Sequence, residues 1–130
     1  MNRRAFKKAV AEEFPRAVPE KFRAKIKNVA ILVEDEPSEE VRRREGLAHD
    51  ETLLGYYQGV PATARGADYG VGPTMPDTIT LYQRPIEEEA GDNPEEIRRV
   101  IRQTIWHEAA HYFGLDEGAL RRREDERGPR

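Results

Sequence analysis

The longest periodic segment of the chain predicts one amphipathic helix that runs from Asn93 to about Phe113. Asn93 is a favourable N-cap, and Pro94 suits the first helical position because its missing N–H would be unpaired there anyway. Gly114 can adopt the left-handed conformation that ends many helices. A helix with an apolar stripe has to bury that stripe against other elements. The rest of this short chain therefore has to supply the elements that cover it.

The end of this helix carries the pattern H-E-x-x-H, formed by His107, Glu108 and His111. Residues at i and i+4 lie one turn apart on the same helix face. Two imidazoles in that arrangement can both reach one metal ion, at about 2.0–2.1 Å each for zinc. The glutamate between them points near the same place, where it can take a proton from a metal-bound water. The motif therefore predicts a zinc site with Glu108 as the general base.

A third metal ligand is expected shortly after the helix. Gly114 lets the chain turn sharply, and an acidic side chain beyond it can swing back to the metal. Glu117 fits by spacing because it is the sixth residue after His111, and Asp116 is the second candidate. Requiring the glycine and the acid in addition to H-E-x-x-H lowers the chance of a coincidental match by about a hundredfold.

The position of Glu108 around the helix is a further indication of a site. At about 100° per residue, Glu108 and His111 fall within the apolar arc, and His107 falls at its edge. A buried carboxylate is costly unless it has a partner, which a metal with its water or a hydrogen-bonded cleft would supply. Trp106 lies off this arc, which predicts packing under a loop or contact with a partner. The apolar arc consists of Ile97, Val100, Ile101, Thr104 and Ile105, and the opposite, polar face consists of Arg98, Arg99, Arg102 and Gln103.

Three further segments predict β-strands, and one predicts an N-terminal helix. Phe6, Val10 and Phe14 recur every four residues on one helical face, and Pro15 and Pro19 are expected to stop that helix. Because helices and strands do not alternate strictly, the pattern indicates an α+β fold. The predicted strands are Val29–Val33, Leu53–Gly59 and Thr78–Tyr82, the last of them closed by Pro85.

Less regular stretches lie between these elements. Ser38 is a plausible N-cap for a short exposed helix that reaches Gly46, and His49 beyond it is predicted to be an exposed loop residue. The stretch Val60–Asp77 is rich in Gly, Pro and Ala and predicts one long loop, which in a small domain is usually functional or disordered. A last short helix is predicted over Asp116–Glu126.

Composition limits the classes of protein that this chain can represent. Its 130 residues predict a single domain, residues 1–130. A net charge of −3 disfavours a nucleic-acid binder, and the absence of cysteine excludes disulfides and thiolate metal sites. No apolar run is long enough for a membrane span, and the N-terminus lacks the apolar core of a signal peptide. We therefore expect a cytoplasmic protein that binds neither nucleic acid nor membranes.

Several segments resemble the small bacterial "possible zinc metallopeptidase" family, which has a minimal zincin-like fold. Besides the motif, the segments that carry the resemblance follow in the family's order: 29–37 (VAILVEDEP), 54–59 (LGYYQG) and 76–82 (PDTITLY). The resemblance implies a small mixed sheet of three to four strands packed on an active-site helix and an N-terminal helix. It also implies zinc on the two histidines, and an edge strand beside the site that pairs with an extended peptide substrate.

Two departures from related sequences concern the third ligand and the segment after the motif. The family more often has Asp at the position of Glu117. No methionine follows Met75, whereas larger zincins with a third histidine in the motif have a methionine turn there.

The sequence as a whole predicts a zinc-dependent peptidase. Its zinc ligands are expected to be His107, His111 and Glu117, with Glu108 moving the proton between water and the leaving amine. The loop of residues 60–77 is a candidate cover for the site. Candidates for stabilising the charge on the attacked carbonyl are the hydroxyls of Tyr57, Tyr69 and Tyr82.

Two other interpretations keep the metal and change its role. In one, the chain is a non-catalytic zinc-binding interaction or regulatory module, which its small size favours because it leaves little surface for a specificity pocket. In the other, the zinc is structural and a fourth protein ligand such as His49 or Asp116 closes the site. An open coordination position separates the enzyme from the structural site.

Overall fold

In a computed structural model, a three-stranded mixed sheet and five helices form the part of the chain that the structure describes, residues 1–59 and 76–114. The predicted helix over Asp116–Glu126 and nearly all of the predicted loop Val60–Asp77 fall outside those ranges. The helices are α1 (Arg3–Ala17), α2 (Glu20–Arg23), α3 (Glu39–Arg44), α4 (Gln83–Ala90) and α5 (Pro94–Tyr112). The strands are β1 (Val29–Glu34), β2 (Gly55–Gln58) and β3 (Asp77–Tyr82).

The sheet has the order β1-β3-β2, with β1 parallel and β2 antiparallel to β3. Ile79 in the central strand stands opposite Ile31 on one side and Tyr57 on the other. Alternate residues of a strand share one face, so Ile79 and Leu81 both point into the core that α1 and α5 cover. Helix α5 packs on β2 and β3, which places its C-terminal half beside the edge strand β2.

The predicted ends of the long helix are confirmed. The side chain of Asn93 accepts a hydrogen bond from the Glu95 N–H at 2.8 Å, and Pro94 opens α5. Gly114 follows the helix with a φ of +72°, the left-handed conformation that favours glycine. The predicted N-cap of the short exposed helix is confirmed as well, because Ser38 accepts from the Val41 N–H at 3.2 Å.

The predicted stop of the first helix at Pro15 is wrong. Helix α1 continues through Pro15 to Ala17, and burial of Ala17 and of the following Val18 offsets the hydrogen bond that the proline cannot donate. Pro85 is the third residue of α4, where a backbone N–H has no partner within the helix in any case. Strand β3 ends at Tyr82 as predicted, but the helix α4 that follows it was not predicted, because a proline usually disfavours a helix.

Trp106 is only 2% exposed, although it lies off the main apolar arc of α5. Its ring packs against Phe22 of α2 at a centroid distance of 5.6 Å, and the buried Ala110 belongs to the same cluster. Helix α2 thus covers a second side of α5. The alternative that Trp106 contacts a partner protein is therefore wrong.

A buried carboxylate joins α1 to α5 on the side of α5 that the sequence marks as polar. Glu13 is fully buried, and its two oxygens accept hydrogen bonds from Arg102 at 2.7 Å and Arg98 at 2.9 Å. Burial alone raises the pKa of Glu13, but the hydrogen bonds from Arg102 and Arg98 outweigh it and hold the pKa below its usual 4.5. These two arginines therefore attach the long helix to α1.

We expect Glu13→Gln to lower the free energy of unfolding by about 3 kcal/mol, because it leaves two guanidinium groups without the buried charge that they pair with. Urea unfolding at pH 7 measures the change. The matched control is Glu12→Gln, since Glu12 is about half exposed and its single ion pair with Arg98 is worth at most about 1 kcal/mol. If Glu13→Gln lowers the free energy of unfolding no more than Glu12→Gln does, Glu13 does not hold α5 against α1.

The same ion pairs predict a pH dependence of stability. The folded-state pKa of Glu13 lies below the unfolded value near 4.5, so the unfolded chain binds the extra proton as the pH falls. The stabilisation is therefore complete above about pH 4.5 and is lost as the pH falls through the folded-state pKa. Acid unfolding monitored by circular dichroism should show a steeper loss of stability in the parent than in Glu13→Gln. Parallel curves would be evidence that Glu13 does not cause the pH dependence.

Candidate active site

The C-terminal half of α5 carries all three residues of the H-E-x-x-H pattern. His107 and His111 lie one turn apart with ring centroids separated by 5.0 Å and planes inclined by 54°. Both imidazoles are partly exposed, whereas Glu108 between them is 7% exposed. The helix thus presents two nitrogen donors toward solvent next to a carboxylate that is largely withdrawn from it.

Glu108 has a backbone partner in the edge strand. Its Oε1 accepts a hydrogen bond from the Tyr57 N–H of β2 at 3.0 Å. The same oxygen lies 3.6 Å from Nδ1 of His111, which is beyond a normal hydrogen bond. A buried carboxylate needs a partner, and among the described residues β2 supplies one.

The side chain of Tyr57 connects β2 to β3 and to the end of α5. Its hydroxyl donates to Oδ2 of the buried Asp77 at 2.7 Å. Its ring meets the ring of Tyr112 edge to face at 6.3 Å, and the Tyr112 hydroxyl accepts from the Lys27 N–H at 3.3 Å. Tyr112 directly follows His111, so these contacts fix the end of α5 against the sheet.

Sequence reasoning missed two members of this group. Tyr112 could have been found, because it lies four residues after Glu108 and therefore on the same helix face. Asp77 gave no such signal, since its contact with Tyr57 depends on the antiparallel pairing of β2 with β3 and not on spacing along the chain.

The tyrosines predicted to stabilise a developing charge have other surroundings. The Tyr57 hydroxyl is hydrogen-bonded to Asp77. Tyr82 is 2% exposed, and burial, together with the nearby charge of Glu34, raises the pKa of its hydroxyl to about 12. Tyr69 lies outside the described residues. Neither described tyrosine therefore offers an open hydroxyl to a substrate in this structure.

Both candidates for the third ligand, Glu117 and Asp116, also lie outside the described residues. Within residues 1–59 and 76–114, no three His, Asp or Glu side chains converge in a way that could hold a metal ion. The chain does turn as predicted after the helix, since Gly114 has a φ of +72° and donates its N–H to the His111 carbonyl at 2.9 Å. His49 is exposed after α3, as predicted.

Two imidazoles one turn apart are a suitable donor set for zinc, which takes His nitrogens readily and needs further ligands to complete its shell. The adjacent rings of His107 and His111 and their partial exposure fit such an ion.

The model of the zincin-like metallopeptidase family matches residues 26–127, which is well over half of the chain. The chain belongs to this family. It is also similar to the solved structure of a conserved hypothetical protein from Thermus thermophilus, with 23% sequence identity and a TM-score of 0.52. That similarity covers 95% of this chain and 100% of the other, and it concerns the fold. No curated protein gives a significant match.

The predicted fold class is confirmed. The described part of the chain is a small α+β structure in which a mixed sheet of three strands packs on α1 and on the motif-bearing α5. Among the helices of residues 1–59 and 76–114, none is both long and apolar enough to cross a membrane.

We expect Tyr57→Phe to lower the free energy of unfolding by about 1–3 kcal/mol, because it removes a hydrogen bond to a buried carboxylate. The neighbouring Tyr56→Phe is a matched control, since the Tyr56 hydroxyl donates to the exposed Glu45 at 3.2 Å. Thermal or urea unfolding of both variants measures the difference. Equal effects would mean that the Tyr57–Asp77 bond does not hold β2 in place.

Proposed function

We propose that this chain is a zinc-dependent metallopeptidase that hydrolyses peptide bonds at the site formed by His107, Glu108 and His111. The observation that carries the proposal is the pair of imidazoles, 5.0 Å apart between ring centroids, beside a buried carboxylate on one helix of a zincin-like metallopeptidase. The two rings supply nitrogen donors, and the carboxylate supplies a group that can carry a proton.

In the proposed site, His107 and His111 hold the zinc ion through neutral imidazole nitrogens, and Glu117 is the third ligand. Bound zinc supplies a Lewis acid that polarises a carbonyl and makes water more acidic. Glu108 accepts a proton from the attacking water as the new C–O bond forms. It then delivers this proton to the leaving nitrogen as the C–N bond breaks.

The proposed substrate is a peptide in extended conformation, bound along the edge strand β2. This strand ends the sheet order β1-β3-β2, and its Tyr57 amide lies 3.0 Å from Glu108. An extended peptide that adds to this edge through backbone groups other than the Tyr57 N–H, which Glu108 already holds, would run past the catalytic carboxylate. The proposal includes no nucleic acid or membrane partner.

We expect the purified protein to bind about one Zn²⁺ per chain, and His107→Ala or His111→Ala to abolish stoichiometric binding. Metal analysis after zinc loading and dialysis measures this. His49→Ala is the matched control, because His49 is exposed and should leave the zinc content unchanged.

The third ligand is tested in the same assay. Glu117→Gln should weaken zinc binding more than Asp116→Asn, and the reverse order would identify Asp116 as the ligand. Full zinc binding by a chain that lacks both motif histidines would refute the site.

Glu108→Gln separates catalysis from metal binding. The glutamine keeps an oxygen that can accept from the Tyr57 N–H, so folding and zinc content should match the parent. It cannot take a proton from water, and the rate of peptide cleavage should fall by about 10²–10⁴. Glu88→Gln, on the exposed side of α4, is the control and should cleave like the parent.

The measurements for Glu108→Gln are zinc content, melting temperature and cleavage rate on a peptide found in a broad library. Equal cleavage by Glu108→Gln and the parent would reject Glu108 as the proton carrier. A zinc-loaded parent that cleaves no peptide in the library would favour the non-catalytic binding module instead.

A further inference from the structure

Gly55 is placed where no side chain fits. A Cβ atom built on it would lie 2.7 Å from Cγ2 of Thr104, 3.2 Å from Cγ of Glu108 and 3.2 Å from the Thr80 carbonyl oxygen. The φ of Gly55 is outside the left-handed region, so the backbone conformation does not require glycine. The missing side chain therefore serves to let β2 approach α5 closely.

This close approach has a consequence two residues further along the strand. Residues i and i+2 of a strand lie on the same side, so Gly55 and Tyr57 both face α5. With Gly55 against Thr104, the Tyr57 N–H reaches Oε1 of Glu108 at 3.0 Å. A strand displaced outward by the width of a methyl group would lose this hydrogen bond.

Thr104 forms the opposite wall of this contact and is itself held in place. Its hydroxyl donates to the Val100 carbonyl, one turn earlier in α5, at 2.7 Å. This bond within the helix fixes the side-chain rotamer and keeps Cγ2 toward Gly55. Thr104 is buried, so the methyl group has no room to turn away from the strand.

We propose that Gly55 and Thr104 are positioning residues for Glu108. They set the distance between β2 and α5 at which the Tyr57 amide holds one carboxylate oxygen and so fixes the orientation of the group that moves the proton. This inference rests on the proposed function for the role of Glu108, but the geometry can be tested separately from peptide cleavage.

The test uses the full chain and three variants: Gly55→Ala, Thr104→Ser and the double variant. The alanine methyl should collide with Cγ2 of Thr104 and push β2 away from Glu108. Serine lacks Cγ2 and keeps the hydroxyl that bonds to Val100, so the double variant loses the contact at 2.7 Å. The two remaining contacts at 3.2 Å need shifts of only a few tenths of an ångström, so the approach should be largely restored. The rescue follows from one removed methyl group, which a general loss of stability would not reproduce.

The first readout is hydrogen exchange of the Tyr57 amide measured by NMR, with Glu108→Ala as the reference that lacks the acceptor. We expect exchange about tenfold faster in Gly55→Ala than in the parent, and recovery of the parent rate in the double variant. The second readout is peptide cleavage. We expect kcat to fall by about tenfold to a hundredfold in Gly55→Ala with little change in KM, and to recover in the double variant.

Gly91→Ala is the control for stability. The methyl group added at residue 91 meets no atom within 4 Å, but a φ of +81° strains any side chain. The variant should therefore have a lower melting temperature, with an unchanged exchange rate of the Tyr57 amide and an unchanged kcat. Parent-like exchange and kcat in Gly55→Ala would overturn the proposal. A double variant that folds but recovers neither the exchange rate nor kcat would also overturn it. If Gly55→Ala does not fold, the double variant is compared with Thr104→Ser alone on the same two quantities. A double variant with the exchange rate and kcat of Thr104→Ser would then support the proposal, and one with faster exchange and lower kcat would overturn it.

The proposed function can fail without deciding this inference. If the zinc-loaded parent cleaves no peptide, the peptidase assignment is rejected. The exchange rates of the Tyr57 amide still show whether Gly55 and Thr104 hold Glu108 against the strand.

Discussion

The hydrogen bond between the Tyr57 amide and Glu108 connects the sheet to the helix at the candidate site. In the described part of the chain β2 is an edge strand, whose amides cannot all pair within the sheet, and a buried carboxylate has too little water around it. Here each group satisfies the other at 3.0 Å. The position of the strand edge and the rotation of the helix about its axis are therefore set together, and that rotation determines where the two motif histidines point.

Besides the contacts of Trp106 and Tyr112, two attachments hold helix α5 at different points along its length. In its first half, Arg98 and Arg102 bind the buried Glu13 of α1. In its second half, Thr104 and Glu108 meet the backbone of β2. Two attachments on different sides of a rigid helix fix both its tilt and its rotation. The imidazoles at its end can then project from a defined position while remaining partly exposed.

Much of this arrangement could be predicted from local signals in the sequence. Asn93 and Gly114 mark the ends of α5 because capping depends on residues within one turn. β-branched residues mark β1 and β3, and the spacing of the motif places its residues on one face. In each case the physical cause lies within a few neighbouring residues, so one sequence is enough to recognise it.

The contacts that could not be predicted join residues distant in the chain. Glu13 and Arg98 are separated by 85 residues, and Tyr57 and Asp77 by 20. Which of the charged residues of α1 faces α5 depends on how the helices cross, and the Tyr57–Asp77 pair depends on strand register. The prediction for Glu117 remains a prediction, since that residue lies beyond the described part of the chain.

The two buried glutamates show why burial of a carboxylate is not enough to locate a catalytic group. Glu13 accepts hydrogen bonds from two guanidinium groups, which neutralise its charge and hold its pKa down. A carboxylate in that setting is a poor proton acceptor, and its role is to join two helices. Glu108 accepts instead from a neutral backbone amide and lies beside partly exposed imidazoles. A backbone N–H therefore orients the Glu108 carboxylate from the edge strand, whereas two guanidinium groups hold Glu13 between helices.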